Sequence, residues 1–188
     1  MKTIKKIIIY AISIVSKIII LSILIPQSWW VYIKSLSKPN KLIIEKKYQG
    51  QKILLIALYQ KGTLRNDLKQ LLIKAKKLGF YIIGVNTLTL TEDVSEWFDS
   101  YIERFNYGRD FGSYKTGFNY IFDKKIHLQC PRLLMCNDSV YYEETRTEKF
   151  LLDLMNSNIE VLGATENYEI SYHLGSFCIA IAGRVLAQ

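Results

Sequence analysis

Cysteine is scarce in this chain: three residues, Cys130, Cys136 and Cys178, an odd set without metal-ligand spacing. That excludes a secreted disulfide framework and leaves buried thiols in a reducing cytoplasm. Internal repeats and low-complexity stretches are absent, and 188 residues suffice for one ordinary domain with an appendage. Acidic side chains are nearly missing from the start. Residues 1–47 hold nine lysines against Glu45 alone, whereas residues 48–188 hold sixteen basic and sixteen acidic side chains. The net charge of +8 is therefore a property of the N-terminal segment, and the body is neutral. A nucleic-acid reader carries its charge on the folded face that docks, so nucleic acid is not expected as a partner.

Glycine is scarce as well, ten in all, yet three fall within "FNYGRDFGSYKTG", residues 105–117. Their positions, 108, 112 and 117, do not form G-x-G-x-x-G, which argues against a dinucleotide-dependent hydride transfer.

Long apolar runs are confined to the N-terminus. "IIIYAISIVSKIIILSILI", residues 7–25, is interrupted only by Lys17 and small polar residues. Lys2, Lys6, Tyr10, Ser13 and Lys17 fall on one stripe of a helix, and the rest of its surface is apolar. Trp29, Trp30 and Tyr32 follow Pro26, and such rings favour the headgroup region. Lys34, Lys38 and Lys41 add about 1 kcal/mol each toward an anionic surface. Two arrangements are open: a helix lying in the interface or returning at Pro26, and a single spanning anchor that tolerates Lys17. A cleaved signal fits less well, because no small-x-small site follows. A helix packed within the core is the structural alternative. Residues 1–47 are thus expected as a membrane-associated segment and residues 48–188 as the folded domain.

From Lys52 onward, strand and helix alternate at βαβ spacing. "KILLIALYQ", "FYIIGVNT" and "PRLLMCN" are continuous apolar runs, as strands buried on both faces should be. "YIERF" adds a short strand; "EVLGATE" and "YHLGSFCIAIAGRVLAQ" close the chain. Helices are expected over 64–78, from about Ser113 to Phe122, and over about 146–156. The sum is an α/β fold with a mostly parallel sheet covered by helices.

In such sheets ligands bind outside the carboxyl ends of the strands. Asn106, Gly108, Arg109, Asp110, Gly112 and Ser113 follow one strand there; Asn137, Asp138 and Ser139 follow another. Arg109 suits a diphosphate, Asp110 a ribose or sugar hydroxyl, and the helix start an anion. The plainer alternative is a tight turn capped by Asp110 or Ser113 with Arg109 in solvent. Asp138 suits a hard divalent cation, Mg or Mn, carrying a substrate diphosphate; the alternative is an Asx-turn. Glu166 would serve as a general base only if it faces the cleft. His173 is open between ligand, substrate contact and core histidine.

Four blocks in order, "ILLIALYQKG", "ERFNYGRDFGSYKTGF", "LLMCNDSVYY" and "GATENYEISYHLGSF", resemble the rhamnan synthesis F family of bacterial cell-surface polysaccharide and O-antigen biosynthesis, over roughly residues 50–180. The resemblance implies a GT-A-like sheet and a nucleotide-sugar-dependent glycosyltransferase. It implies that Asn106–Gly112 forms part of the donor site. Asn137, Asp138 and Ser139 would stand where related folds place a metal-holding Asp-x-Asp. The Glu166–Ser176 block, with Glu166 and His173, would lie near the acceptor. Gly175 departs from the glutamine of the family's His-Leu-Gln-Ser. Family members are longer, so the stop at Gln188 suggests a fragment. The expected activity is transfer from a nucleotide-diphosphate sugar to a lipid-linked or polysaccharide acceptor at the cytoplasmic face of the bacterial inner membrane. The alternative is a non-catalytic, membrane-tethered component that binds sugar nucleotide or glycan.

Overall fold

The apolar runs at 53–58, 81–86 and 132–137 become strands whose residues are buried on both faces. Only cover from two sides can achieve that, and helices supply it. The computed structural model describes residues 2–168 and 171–188, with the backbone alone for residues 2–12. By internal contacts the chain divides into two units, 1–39 and 40–188.

The second unit is an α/β domain on a seven-stranded sheet. Its strands are β1 (Lys41–Glu45), β2 (Ile53–Leu58), β3 (Tyr81–Asn86), β4 (Ser100–Glu103), β5 (Arg132–Asn137), β6 (Val161–Gly163) and β9 (Cys178–Ala182). Between the last two, β7 (Glu166–Asn167) and β8 (His173–Leu174) form a separate hairpin. The order is β1-β4-β3-β2-β5-β9-β6. The four central strands run parallel, and β1 and β9 pair antiparallel with β4 and β5. The sheet is therefore mixed, with its parallel part in the middle.

Helix α2 (Asn66–Lys77) buries Leu68, Leu71, Leu72 and Ala75 on one face of the sheet, beside α4 (Glu144–Asn156) with Leu151, Leu154 and Met155. Its end is closed by Gly79 N–H on Lys76 O and Phe80 N–H on Ala75 O, a Schellman pair. On the opposite face α3 (Arg109–Asp123) packs Tyr114, Tyr120 and Ile121 over Leu55, Ile83 and Leu133. A last turn, α5 (Gly183–Leu186), follows β9. The crossovers from β2 lead to β3 and then β4 on one side; the chain then returns past β2 to β5 on the other. The strand order thus reverses between β2 and β5, and a crevice opens at such a switch point.

Three expectations are corrected. The domain boundary falls before β1 rather than at residue 47, because Lys41–Glu45 pairs with β4 and joins the sheet. α3 begins at Arg109 instead of Ser113, so Gly112 and Ser113 belong to the helix. A return at Pro26 is not found: α1 (Lys2–Leu36) runs through it unbroken. The side chains of Lys2, Lys6 and Tyr10 lie outside the described residues. Within α1, Ser16 and Ser22 return their hydroxyls to Ser13 O and Ile18 O, hiding polar groups on the helix itself. Ser13–Leu36 is long and apolar enough to cross a membrane, and Trp29 and Trp30 are 65% and 69% exposed.

The cysteines are all buried, and burial pushes Cys130 and Cys136 up to about 11 and about 12. Such thiols are inert.

Gly117 faces the sheet, and a Cβ there would lie 2.3 Å from Leu55 Cδ1. Gly117→Ala is expected to cost about 1–3 kcal/mol by overpacking, lowering the thermal midpoint of the full chain in nonionic detergent by several degrees. An unchanged midpoint would refute this close approach.

Candidate functional site

Leu58 ends β2, and the next two residues, Tyr59 and Gln60, turn over the rim of the sheet. There they meet Asp138, which follows β5. Asp138 is 6% exposed; its carboxylate Oδ2 accepts the Tyr59 N–H at 2.7 Å and the Gln60 side-chain amide. The Asx-turn expected as the alternative for Asp138 is made instead by Asn137, whose Oδ1 accepts the Ser139 N–H at 3.1 Å. Asn137 thereby closes the strand, and Asp138 turns inward.

The end of β3 joins this cluster through Asn86, which is fully buried. Its amide donates to Gln60 O and to the Tyr101 hydroxyl, both at 2.9 Å, and its Oδ1 accepts the Gln60 N–H. Arg65 then clamps the loop after β5 from outside, donating to Asp138 O and Val140 O at 2.8 Å. Its other donors grip Asp67 at 2.9 and 3.0 Å. Burial alone would raise the Asp67 pKa. Bonds from Arg65 and the Tyr142 N–H outweigh it and hold the carboxyl below its ordinary range.

The glycine-rich turn forms the third wall. Gly108 caps α3 at φ +78°, and Arg109 follows at φ +48°, a left-handed conformation that strains a non-glycine residue by about 1–3 kcal/mol. Arg104 holds this turn from below, donating to Tyr107 O, Arg109 O and Ser113 Oγ. Burial lowers the Arg104 pKa, and it has no carboxylate partner among the described residues. Gly112 is required here because a Cβ would collide with Tyr107 O and the Arg104 guanidinium. Neither Asp110 nor Ser113 caps the helix, contrary to that part of the plainer reading of the turn, while Arg109 is exposed, as that reading has it. Asp110 accepts from the Asn137 amide at 2.9 Å, joining the turn to the end of β5.

These walls border an open cavity of about 640 Å³ lined by Leu58, Tyr59, Gln60, Arg65, Thr87, Asn106, Arg109, Asp110, Ser113, Asp138 and Ser139. Arg109 and Asp138 therefore share one hollow. Thr87 Oγ1 is buried and, among the described residues, the one such side-chain oxygen without a hydrogen-bond partner. It is a candidate contact for a ligand hydroxyl. Gly108, Gly112 and Asn137 shape the walls without lining the cavity.

Glu166 and His173 do not line it. They sit on the β7–β8 hairpin, exposed, with Glu166 bonded to the Tyr168 hydroxyl and His173 Nδ1 3.0 Å from Ser171 O. The end of that block does reach the site: Ser176 O accepts from the Tyr114 hydroxyl, and Phe177 O from Asn137 N–H. Phe177, Tyr141 and Phe150 line a smaller apolar hollow, about 270 Å³, on the far side of the 138–142 turn.

Sequence reasoning misses Tyr59, Gln60, Arg65 and Thr87. The signal for three of them is their place just after β2 and β3, where the switch point must open. No group of three or more His, Cys, Asp or Glu stands together among the described residues. Asp110 and Asp138 nevertheless face one cavity. Two carboxylates suit a hard cation that takes its remaining ligands from phosphate and water.

No family model and no solved structure matches the chain. Two curated proteins from Vibrio anguillarum, both virulence protein VirA and one of them from strain 775, are similar to it at 31% identity over 101 residues. The match covers 52% of this chain and 32% of each relative, so the chain spans about a third of their length. The resemblance to the rhamnan synthesis F family rests on its four sequence blocks.

Arg65→Ala strands the Asp67 carboxyl in the interior and unties residues 138–140, which is expected to cost about 2 kcal/mol. A folded-state pKa held below the unfolded value gives stability that is present above 3.8 and lost as pH falls through the lower folded value. The variant lacks most of that depression, so its stability should fall less than that of wild type as pH drops below 3.8, and the gap between the two should narrow in acid. Thermal unfolding followed between pH 3 and 7 checks both effects.

Proposed function

We propose that the cavity binds the diphosphate of a nucleotide sugar, and that the chain acts as a membrane-associated glycosyltransferase of bacterial cell-surface polysaccharide biosynthesis. The reading is carried by one observation: Arg109, Asp110 and Asp138 converge in a single cavity at the switch point of the sheet. The strand order and the two-sided helix cover are compatible with a GT-A-like fold. The four sequence blocks that suggested the rhamnan synthesis F family include all three residues.

Charge decides how the ligand would be held. Of the two arginines on the cavity wall, Arg65 is committed to Asp67 and to backbone carbonyls, which leaves Arg109. Against it stand two carboxylates. A diphosphate entering this cavity alone would meet more repulsion than attraction, so binding is coupled to a divalent cation on Asp110 and Asp138. Bound there, the cation would supply charge for the departing diphosphate. Arg109 would add a fork of donors, and the N–H groups at the start of α3 would favour the same anion. Thr87 and Asn106 remain for hydroxyls of the nucleotide or sugar. The acceptor would be a lipid-linked glycan or growing polysaccharide, and α1 would keep the enzyme at the cytoplasmic face of the inner membrane.

The second reading, a non-catalytic component that binds sugar nucleotide or glycan, is favoured by the position of Glu166 and His173. With both outside the cavity, no side chain is assigned to activate the acceptor.

Titration calorimetry of the full chain in nonionic detergent, with a panel of nucleotide sugars, tests the binding step. Manganese is expected to raise affinity at least about tenfold, and Asp138→Asn or Asp110→Asn to abolish the gain. Transfer of labelled sugar into lipid extract should fall about 10²-fold in Asp138→Asn. Equal rates would remove Asp138 from catalysis, and binding without transfer would select the second reading.

A further inference from the structure

The opposite end of the sheet carries a second pocket, about 460 Å³, at the start of β3 and the finish of β1 and α3. Four lysines line it, Lys46, Lys47, Lys124 and Lys125, against one carboxylate, Glu45. Two of the four are paired: Lys124 with Glu45 at 2.8 Å and Lys46 with Asp99 at 3.2 Å. Lys47 and Lys125 make no ion pair among the described residues. Nearby Lys76 is drawn below its ordinary pKa first by burial and then by the charge of Lys46, against the opposing pull of Asp99 and Glu96.

The floor of the pocket has its own hydrogen bonds made. Tyr48 and Tyr81 meet edge to face at 5.2 Å. The Tyr81 hydroxyl donates to Lys46 O at 2.6 Å, and Ser100 Oγ lies 2.8 and 2.7 Å from the hydroxyls of Tyr81 and Tyr120. Tyr120 in turn bonds Glu45. Side chains so tied cannot turn to meet the lysines, and no carboxylate remains in the pocket to neutralise Lys47 and Lys125. A floor held in place by its own bonds, beneath uncompensated ammonium groups, is organised in advance for an anion.

We propose that this pocket is a binding site for a phosphate-bearing anion, distinct from the cavity at the other end of the sheet. Phosphate is the fitting chemistry because its charge and several acceptor oxygens let adjacent ammonium groups share it. Two sources supply that chemistry: the headgroup of an acidic phospholipid and a soluble phosphate compound. The first is brought close in the chain, since Lys46 and Lys47 follow the end of the apolar helix by about a dozen residues.

The site is read by lysine acylation and mass spectrometry on the full chain, reconstituted in vesicles of phosphatidylcholine alone, of phosphatidylcholine with phosphatidylglycerol, and of phosphatidylcholine with inorganic pyrophosphate added. Labelling of Lys47 and Lys125 is expected to fall about fivefold, the factor that corresponds to about 1 kcal/mol per lysine. Lys61 and Lys115, outside the pocket, should be unchanged. Protection by phosphatidylglycerol alone supports the site with a lipid occupant, and protection by pyrophosphate supports it with a soluble one. Unchanged labelling in both arms overturns the proposal. The double variant Lys47→Gln and Lys125→Gln should also abolish ligand protection of Lys46 and Lys124; persistence would place the anion elsewhere. None of these readouts uses the nucleotide-sugar cavity, so failure of the glycosyltransferase reading leaves them intact.

Discussion

One carboxylate oxygen holds the rim of the sheet together. Oδ2 of Asp138 takes the N–H of Tyr59 and the amide of Gln60, and so ties the chain leaving β5 to the chain leaving β2. Gln60 passes the constraint to Asn86 at the end of β3 through hydrogen bonds in both directions. Three neighbouring strands are thereby fixed relative to one another at the place where their crossovers diverge. Buried polar groups are costly unless every partner is present. Here that cost is met: the amides of Gln60 and Asn86 and Oδ2 of Asp138 all have partners.

The glycine-rich turn is held by a different device. Arg104 places an uncompensated guanidinium beneath a loop whose next residues, Gly108 and Arg109, both have positive φ. Backbone carbonyls and the Ser113 hydroxyl, not carboxylates, are its acceptors. The arginine accordingly organises the turn without forming an ion pair with Asp110 or Asp138.

Much of the body was readable from residue pattern alone. β2, β3 and β5 stand out because strands buried on both faces leave uninterrupted apolar runs, and α2 because its leucines recur at helical spacing. The pairing of Arg109 with Asp138 in one hollow was readable from the rule that ligands gather beyond the carboxyl ends of parallel strands. The start of α3 was not readable. A non-glycine residue at positive φ is rare, and no local propensity announces that the helix begins at Arg109. Gln60 and Thr87 carry no motif, and their importance comes from which strands are neighbours. The β7–β8 hairpin also escaped, since two-residue strands leave too little periodicity to place Glu166 and His173.

The route by which the N-terminal helix is joined to the body has a mechanical meaning. The chain leaves α1 at Leu36 and enters the sheet at Lys41 through β1, a five-residue strand at the edge. Any pull on α1 arrives first at the short ladder between β1 and β4, already irregular between Leu42 and Ile44. That ladder would slip before the parallel strands felt the load. Its release would bare the flank of β4, leaving a naked margin open to pairing with another chain while the interior stayed folded.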